Sequence, residues 1–250
     1  MSVRTCTVGE ETILLDLDSD VAGEGGERNY ELWRAEGYTT KEPDTLAWID
    51  GFFKPHDVFY DVGANIGQYA LYAAKRLRGE CQVLAFEPEA LNYAKLNVNI
   101  VLNGLSDAIT AYCVAVAGQT GFNWFYVRAF TPGASLHNFG RPVKQGDVPF
   151  EPEHRQGMLG ATLDDLVGEY GLPFPNHIKI DVDGIEDQIV YGAERLLADP
   201  RLRTALVEIY MHKQIAAQIE AVFERHQFVL YNAEAVTYEP GTAQNLIFVR

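Results

Sequence analysis

Cysteine, basic clusters and long apolar runs are scarce in this sequence. The three cysteines, Cys6, Cys81 and Cys113, are scattered and form no C-x-x-C pair, which excludes a zinc-knuckle or dithiol framework. The two in apolar runs read as small packed hydrophobes, a usage that fits a reducing cytoplasm. No stretch approaches a membrane span, and the opening MSVRTCTVGEET lacks the apolar core of a signal peptide. The expectation is a cytoplasmic chain without membrane contact. Lys and Arg number 20 against 35 Asp and Glu, a formal net charge of −15, and no basic run stands out. Such a chain repels nucleic acid and anionic lipid, so neither is expected as a partner. Internal repeats and low-complexity tracts are also lacking.

What is present is a chain of 250 residues, 47% hydrophobic, enough to bury a sizeable core. Residues 3–8 and 11–17 read as a small hairpin and 28–36 as a short helix. A second short helix is expected over 42–53, with Pro43 near its start. From residue 57 strands alternate with helices. Strands are expected at 57–62, 81–86, 109–117, 177–182 and 204–210, and helices at 67–78, 89–102, 162–170, 184–198 and 213–226. This rhythm predicts an α/β fold with a parallel sheet covered on both faces. Residues 227–232 and 244–250 lack an intervening helix and should close the sheet as an antiparallel hairpin. The domain division is therefore an extension over 1–37 and a main domain over 38–250. Residues 121–160 interrupt the rhythm: FNWFYV is a candidate extra strand, and the rest is too long for an ordinary connection.

The strongest motif is VFYDVGANIGQYALYAAKRL. A strand ends near Asp61, a turn follows through Gly63, Asn65 and Gly67, and a helix begins at Gln68. Glycine at 63 and 67 would let backbone approach a ligand without a Cβ clash, and this turn is where nucleotide-like cofactors sit in doubly wound sheets. Glu87, at the end of the next strand in AFEPEA, is suited to accept both ribose hydroxyls of an adenosine. The turn G-A-N-I-G lacks the middle glycine of the dinucleotide fingerprint G-x-G-x-x-G. Asp61 before it would repel a phosphate and suits an ammonium. Residue chemistry therefore favours S-adenosylmethionine over a nicotinamide cofactor.

The segments DVGANIGQYALYAA, FEPEALNYAKLNVNIVLNG, TLDDLV and IKIDVDGIEDQIVYGAERLL resemble the FkbM family of methyltransferases. The resemblance spans roughly residues 38–210 and is weakest over 121–160, where substrate choice is expected to lie. It implies a seven-stranded, Rossmann-like class I methyltransferase fold and O-methylation of a sugar, glycan or natural-product hydroxyl. It also implies that Asp61, Gly63, Asn65 and Gly67 surround the methionine part of the cofactor. Glu87 would hold the ribose, Val116 and Ala117 would border the adenine, and Glu42 would reach the cofactor from the lead-in.

Alternation along IKIDVDG puts Lys179, Asp181 and Asp183 on one face. Asp181 lies near the carboxyl end of its strand, where ligands bind, and is the candidate to orient or deprotonate the acceptor. Lys179 is a second catalytic candidate; the plainer reading is an internal ion pair with Asp181. Asp183, Glu186, His137 and His212 are substrate candidates, with a helix-start role for Glu186 as the plainer reading. Trp124, Phe125, Tyr126, Phe130 and Phe139 can form a stacking wall or simply core. Asp181, Asp183 and His212 offer metal-ligand atoms without diagnostic spacing, so a divalent metal is possible and not favoured. Alternatives to O-methylation are N-methylation on the same scaffold and an adenosyl-binding module without turnover. The acceptor and oligomeric state are left open.

Overall fold

The computed structural model describes residues 2–18, 29–210, 213–233 and 242–250. In chain order the elements begin with β1 (Ser2–Val8), β2 (Glu11–Leu17), α1 (Tyr30–Glu36), α2 (Pro43–Phe52), β3 (Val58–Val62), α3 (Gln68–Arg76), β4 (Gln82–Phe86), α4 (Ala90–Leu102) and β5 (Ile109–Tyr112). There follow β6 (Ala115–Val116), β7 (Gly121–Val127), β8 (Asn138–Phe139), β9 (Val143–Lys144), β10 (Val148–Pro149), β11 (His154–Ala161) and α5 (Leu163–Gly168). The chain continues with β12 (His177–Ile180), α6 (Glu186–Tyr191), α7 (Glu194–Ala198), β13 (Thr204–Tyr210), α8 (Lys213–Arg225), β14 (Val229–Leu230) and β15 (Ala243–Val249).

Seven strands form the main sheet in the order β14-β15-β13-β12-β3-β4-β5. All pairings are parallel except those of β15, which runs antiparallel to both β13 and β14. This is the doubly wound, Rossmann-like arrangement with a reversed C-terminal strand. From β3 the chain winds outward to β4 and β5, then returns to place β12 on β3's other side. The crevice above β3 and β12 is thus the topological switch point, where open α/β sheets bind ligands. One core cluster, with Leu71, Val83 and Leu96, fills the α3–α4 face; the other, with Ile178, Ile189 and Phe223, fills the opposite face.

The N-terminal hairpin, paired from Ser2↔Leu17 to Val8↔Glu11, contributes Val8, Ile13, Leu15 and Leu17 to the first of these cores. An edge strand must satisfy its free backbone groups. Here asparagines of the α4 region do so: Asn99 Oδ1 accepts from Asp16 N at 2.8 Å, and Asn103 both accepts from Leu14 N and donates to its carbonyl. Lys95 is buried and forms ion pairs with Asp16, Asp18 and Glu31.

Three expectations are corrected. The single strand expected over 109–117 is two: β5 stays in the main sheet, while β6 leaves it to pair in parallel with Gly160 and Ala161. The helix expected over 184–198 breaks into α6 and α7 at Gly192–Ala193, at the residue that is the poorest non-proline helix former. Within residues 121–160 the strand expected over FNWFYV is present as β7, but the rest is not a long loop: β7, β8 and β11 join β6 in a second sheet in the order β6-β11-β7-β8, and β9 pairs separately with β10. The stem of the second sheet pairs β7 with β11 from Gly121↔Gly160 to Val127↔His154. The second stem strand, HRQGMLGA, carries two glycines, which depress strand propensity and hide it from local reading. Among the described residues no helix is long and apolar enough to cross a membrane.

Candidate active site

A cavity of about 230 Å³ opens at the switch point. Its floor and walls come from the β3–α3 turn (Gly63, Asn65), the end of β4 (Phe86, Glu87), residues 114–116, the segment after β12 (Asp181–Asp183) and Glu208 of β13. Residues 134–139 of the second sheet's long excursion roof it, and Trp33, Arg34 and Lys41 close the remaining side.

The turn at 63–67 is built against protein. The amides of Gly63 and Ala64 donate to the Phe86 carbonyl at 3.0 and 3.1 Å. Gly63 has φ +84, and a Cβ there would lie 1.9 Å from the Asp181 carbonyl oxygen. Gly67 has φ +95, and its Cβ would meet Leu96 Cδ1 at 2.6 Å. Within the protein the missing side chains make room for β12 and α4, and Gly63 also lines the cavity. Asn65, itself at φ +51, donates its backbone N–H to Glu87 Oε2 at 2.7 Å and its Nδ2 to the Ala134 carbonyl at 2.9 Å. The Glu89 amide donates to Glu87 Oε1 at 2.8 Å. Burial pushes the Glu87 carboxyl up to about 8, against the opposing pull of these two amides.

Asp61 lies beneath the turn rather than on the cavity wall. Its Oδ2 accepts from Ala70 N at 3.0 Å, while Oδ1 is buried without a partner. Burial pushes it up to about 6, with Lys179 opposing. Val116 lines the cavity, whereas Ala117 faces a separate crevice beside Gly118 and Gln188.

A second cluster centres on Lys179, which is 1% exposed. Its Nζ lies 2.5 Å from Asp181 Oδ2, 3.8 Å from Glu42 Oε2 and 4.8 Å from the Tyr69 ring centroid. Burial alone would raise the Asp181 carboxyl, but Lys179, aided by Lys41, outweighs it and holds Asp181 well below the usual carboxylate range. Burial likewise works against the Lys179 ammonium, and Asp181 and Glu42 more than restore it. The ion pair is therefore present, and it leaves Asp181 a carboxylate of low basicity. Glu42 is buried off the cavity and held by Lys41, Thr45 and Lys179.

Glu208 is the residue that reading along the chain missed. Single oxygens of Glu42, Asp181 and Glu208 lie within 4.8 Å of one another. The Asp181 charge, then burial, pushes the Glu208 carboxyl far up. Its signal was available: it lies near the carboxyl end of β13, on the same rim as Asp181. Of the metal-ligand set considered from sequence, Asp183 accepts from the Leu136 amide and is not part of this carboxylate cluster, and His212 lies outside the described residues. The cation shared by Glu42 and Asp181 is the Lys179 ammonium.

Asp183 lines the cavity and accepts from the Leu136 amide; burial pushes it up to about 6. Glu186 Oε1 accepts from Gly184 N at 3.2 Å, so it serves the start of α6 and does not line the cavity. His137 lines the cavity with Nδ1 accepting from Arg128 N at 3.0 Å, which puts the ring proton on Nε2, a buried donor without a partner. Burial and Arg128 push it down to about 4. It is a neutral donor and no base in this tautomer. Of the aromatics considered for a stacking wall, Phe125 and Phe139 line the cavity; Trp124 and Phe130 are half-exposed away from it.

Comparison with known proteins agrees with this geometry. Residues 61–230 match the Methyltransferase FkbM domain. The chain is 28% identical over 196 residues to the 31-O-demethyl-FK506 methyltransferase FkbM of Streptomyces tacrolimicus, covering 71% of this chain and 74% of that one. It is 25% identical over 194 residues to the hexuronic acid methyltransferase AglP of Haloferax volcanii, covering 72% and 66% respectively. A solved structure from Clostridium thermocellum, named "putative rRNA-methylase", superposes with a TM-score of 0.50 at 9% identity over 83% of this chain and 93% of that one; it shows the shared fold. The chain belongs to the FkbM family and is an S-adenosylmethionine-dependent methyltransferase.

Proposed function

We propose that the enzyme methylates a hydroxyl group of a sugar, glycan or natural-product acceptor. The observation that carries this reading is that Glu87 and Asp181, from strands on either side of the glycine turn, face one cavity. The residues fit S-adenosylmethionine. Each Glu87 oxygen accepts one backbone amide and keeps a lone pair for a ribose hydroxyl. Val116 and Phe86 offer an apolar berth for adenine, and Gly63 and Asn65 a backbone shelf for the methionine chain. The orphaned Asp61 oxygen beneath that shelf adds negative potential under a cationic ligand.

When bound, the cofactor supplies an electrophilic methyl on a sulfonium. Asp181, kept ionised by Lys179, accepts a hydrogen bond from the acceptor hydroxyl and aligns its lone pair for in-line attack. Alignment of this kind is worth several kcal/mol, on the order of 7–11 at best. The hydroxyl proton becomes strongly acidic as the new C–O bond forms, so even a weakly basic carboxylate takes it. Asp183, His137 and the phenyl rings of Phe125 and Phe139 shape the acceptor end. The relatives' names, which give 31-O-demethyl-FK506 and a hexuronic acid as acceptors, support this class.

The low basicity of Asp181 favours one second reading. An amine acceptor arriving with a neutral lone pair needs no base, and N-methylation would use the same carboxylate for orientation alone. The test is release of S-adenosylhomocysteine with matched alcohol and amine acceptors. Turnover of hydroxylated sugars or macrocycles supports O-methylation, turnover confined to amines replaces it, and cofactor binding without turnover on a broad panel points to a non-catalytic module.

A further inference from the structure

Arg34, in the last turn of α1, is 8% exposed yet lines the cavity. No carboxylate of the described residues lies within ion-pair distance of it. Its Nε donates to the Gly133 carbonyl at 2.7 Å and its Cζ lies 5.8 Å from the Trp33 ring centroid; among the described residues the two terminal nitrogens have no hydrogen-bond partner and form an open fork. A buried guanidinium without a counterion is costly, and folding alone does not call for one here. Lys41, the other cation on the cavity wall, is already bound to Glu42. The remaining charged groups on the wall are acids, among them Glu87, Asp181 and Asp183. A ligand carboxylate entering this cavity has one open cationic partner among the described residues.

The position of Arg34 indicates which carboxylate. Gly133 takes its Nε, and the next carbonyl, Ala134, takes the Asn65 side chain. The Arg34 carbonyl itself accepts from Gln68 Nε2 at 3.0 Å, at the start of α3. Arg34 therefore belongs to the 63–67 turn side of Glu87, away from Val116. A nucleoside gripped at Glu87 with its base toward Val116 sends its 5′ substituent to that side.

We propose that Arg34 anchors the carboxylate of the methyl donor's methionine part, with its terminal nitrogens in the end-on, two-point geometry that guanidinium and carboxylate share. The proposal rests on the methyl-donor site described above. It makes Arg34 a cofactor-positioning residue: ribose would be held at one end and carboxylate at the other, which would limit where the methyl group sits relative to Asp181.

The test is calorimetric titration of the full-length protein with S-adenosylmethionine and with decarboxylated S-adenosylmethionine, which lacks only the carboxylate. Wild type is expected to prefer the carboxylated ligand by roughly 10–100-fold. Arg34→Gln should abolish that preference by weakening S-adenosylmethionine alone, leaving the decarboxylated ligand bound as in wild type, which also shows that the variant is folded. Arg34→Lys, which keeps charge but loses the fork, should retain part of the preference and carries the comparison if the glutamine variant does not fold. No preference in wild type, a preference that survives in the variants, or equal weakening of both ligands overturns the proposal. Equal weakening would mean that Arg34 only props up Gly133, and a surviving preference that it faces an acceptor. Failure of wild type to bind either ligand would instead overturn the cofactor site itself.

Discussion

The rim of the seven-stranded sheet and the arch formed over it by the second sheet face one cavity in opposite ways. The rim presents carboxyl side chains at strand ends, Glu87, Asp181 and Glu208, each braced by a backbone amide, a buried lysine or a neighbouring carboxylate. The arch spends its polar backbone on anchoring: the Gly133 and Ala134 carbonyls go to Arg34, Asn65 and Asn92, and the Leu136 amide to Asp183. What it turns inward is mostly ring and hydrocarbon, from Phe125, Leu136 and Phe139, with one imidazole. In the proposed reaction the rim supplies alignment and the arch supplies shape. Changes to the rim should therefore strike stability or turnover, and changes to the arch should strike acceptor choice.

The most damaging change is expected at the seam of the rim. Gly63→Ala forces a methyl to 1.9 Å from the Asp181 carbonyl at a left-handed φ, at a cost of about 3 kcal/mol or more. Urea unfolding should show a collapsed midpoint and activity should vanish; native-like stability would mean that the turn and β12 are not locked together. Next is Asp181→Asn, expected to lower kcat by about 10²–10⁴-fold while S-adenosylhomocysteine affinity, read by calorimetry, stays put. Full turnover would remove Asp181 from the chemistry.

On the arch, Gly160→Ala puts a Cβ 2.5 Å from the Phe139 ring. Overpacking of roughly 1–3 kcal/mol should push that ring into the cavity, raising KM for the acceptor without changing cofactor affinity. A loss of cofactor affinity would erase the contrast between the two regions.

A milder effect distinguishes Glu87. Its carboxyl is raised to about 8 from an ordinary 4.5, so the folded protein keeps a proton that the unfolded chain has lost, and stability must fall as pH rises through that range. His137, lowered to about 4, acts in the opposite direction, and its effect fades as pH rises past its unfolded value of about 6.5. Between about pH 7 and 8, therefore, the ligand-free melting temperature should drop and cofactor affinity should rise as the carboxylate forms; Glu87→Gln should flatten the affinity trend and lessen the drop in melting temperature, to which the raised Glu186 and Glu208 also contribute. The smallest effect is expected on the outside of the arch, where Phe122 is 87% exposed: Phe122→Ser should move stability by under about 0.5 kcal/mol and leave KM unchanged.

Much of the rim was legible because its information is local. A strand that ends in Asp61, a glycine turn and a helix that starts at Gln68 are contiguous, and period two places Lys179 with Asp181 directly. The glycines were found for a different reason from the one the fold uses, since their neighbours Asp181 and Leu96 lie far along the chain. Glu208 carried a readable signal that went unused. Arg34 carried none, because one arginine on a short amphipathic helix looks like any surface cation until Gly133 folds over it. The break after Tyr112 was hidden inside an unbroken apolar run, ITAYCVAVA, and depends on Gly160 and Ala161 as distant partners.

The stem of the arch has an evolutionary implication. Its two strands pair without interruption from Gly121↔Gly160 to Val127↔His154, so everything strung between 128 and 153 begins and ends at neighbouring points. Lengthening such a segment is cheap: each doubling adds only about 0.6 kcal/mol of closure entropy. Because Gly133 and Ala134 within it hold Arg34 and Asn65, the part free to vary is the stretch after β8, a place where one ancestral enzyme could change in length toward new acceptors while the donor end stayed constant.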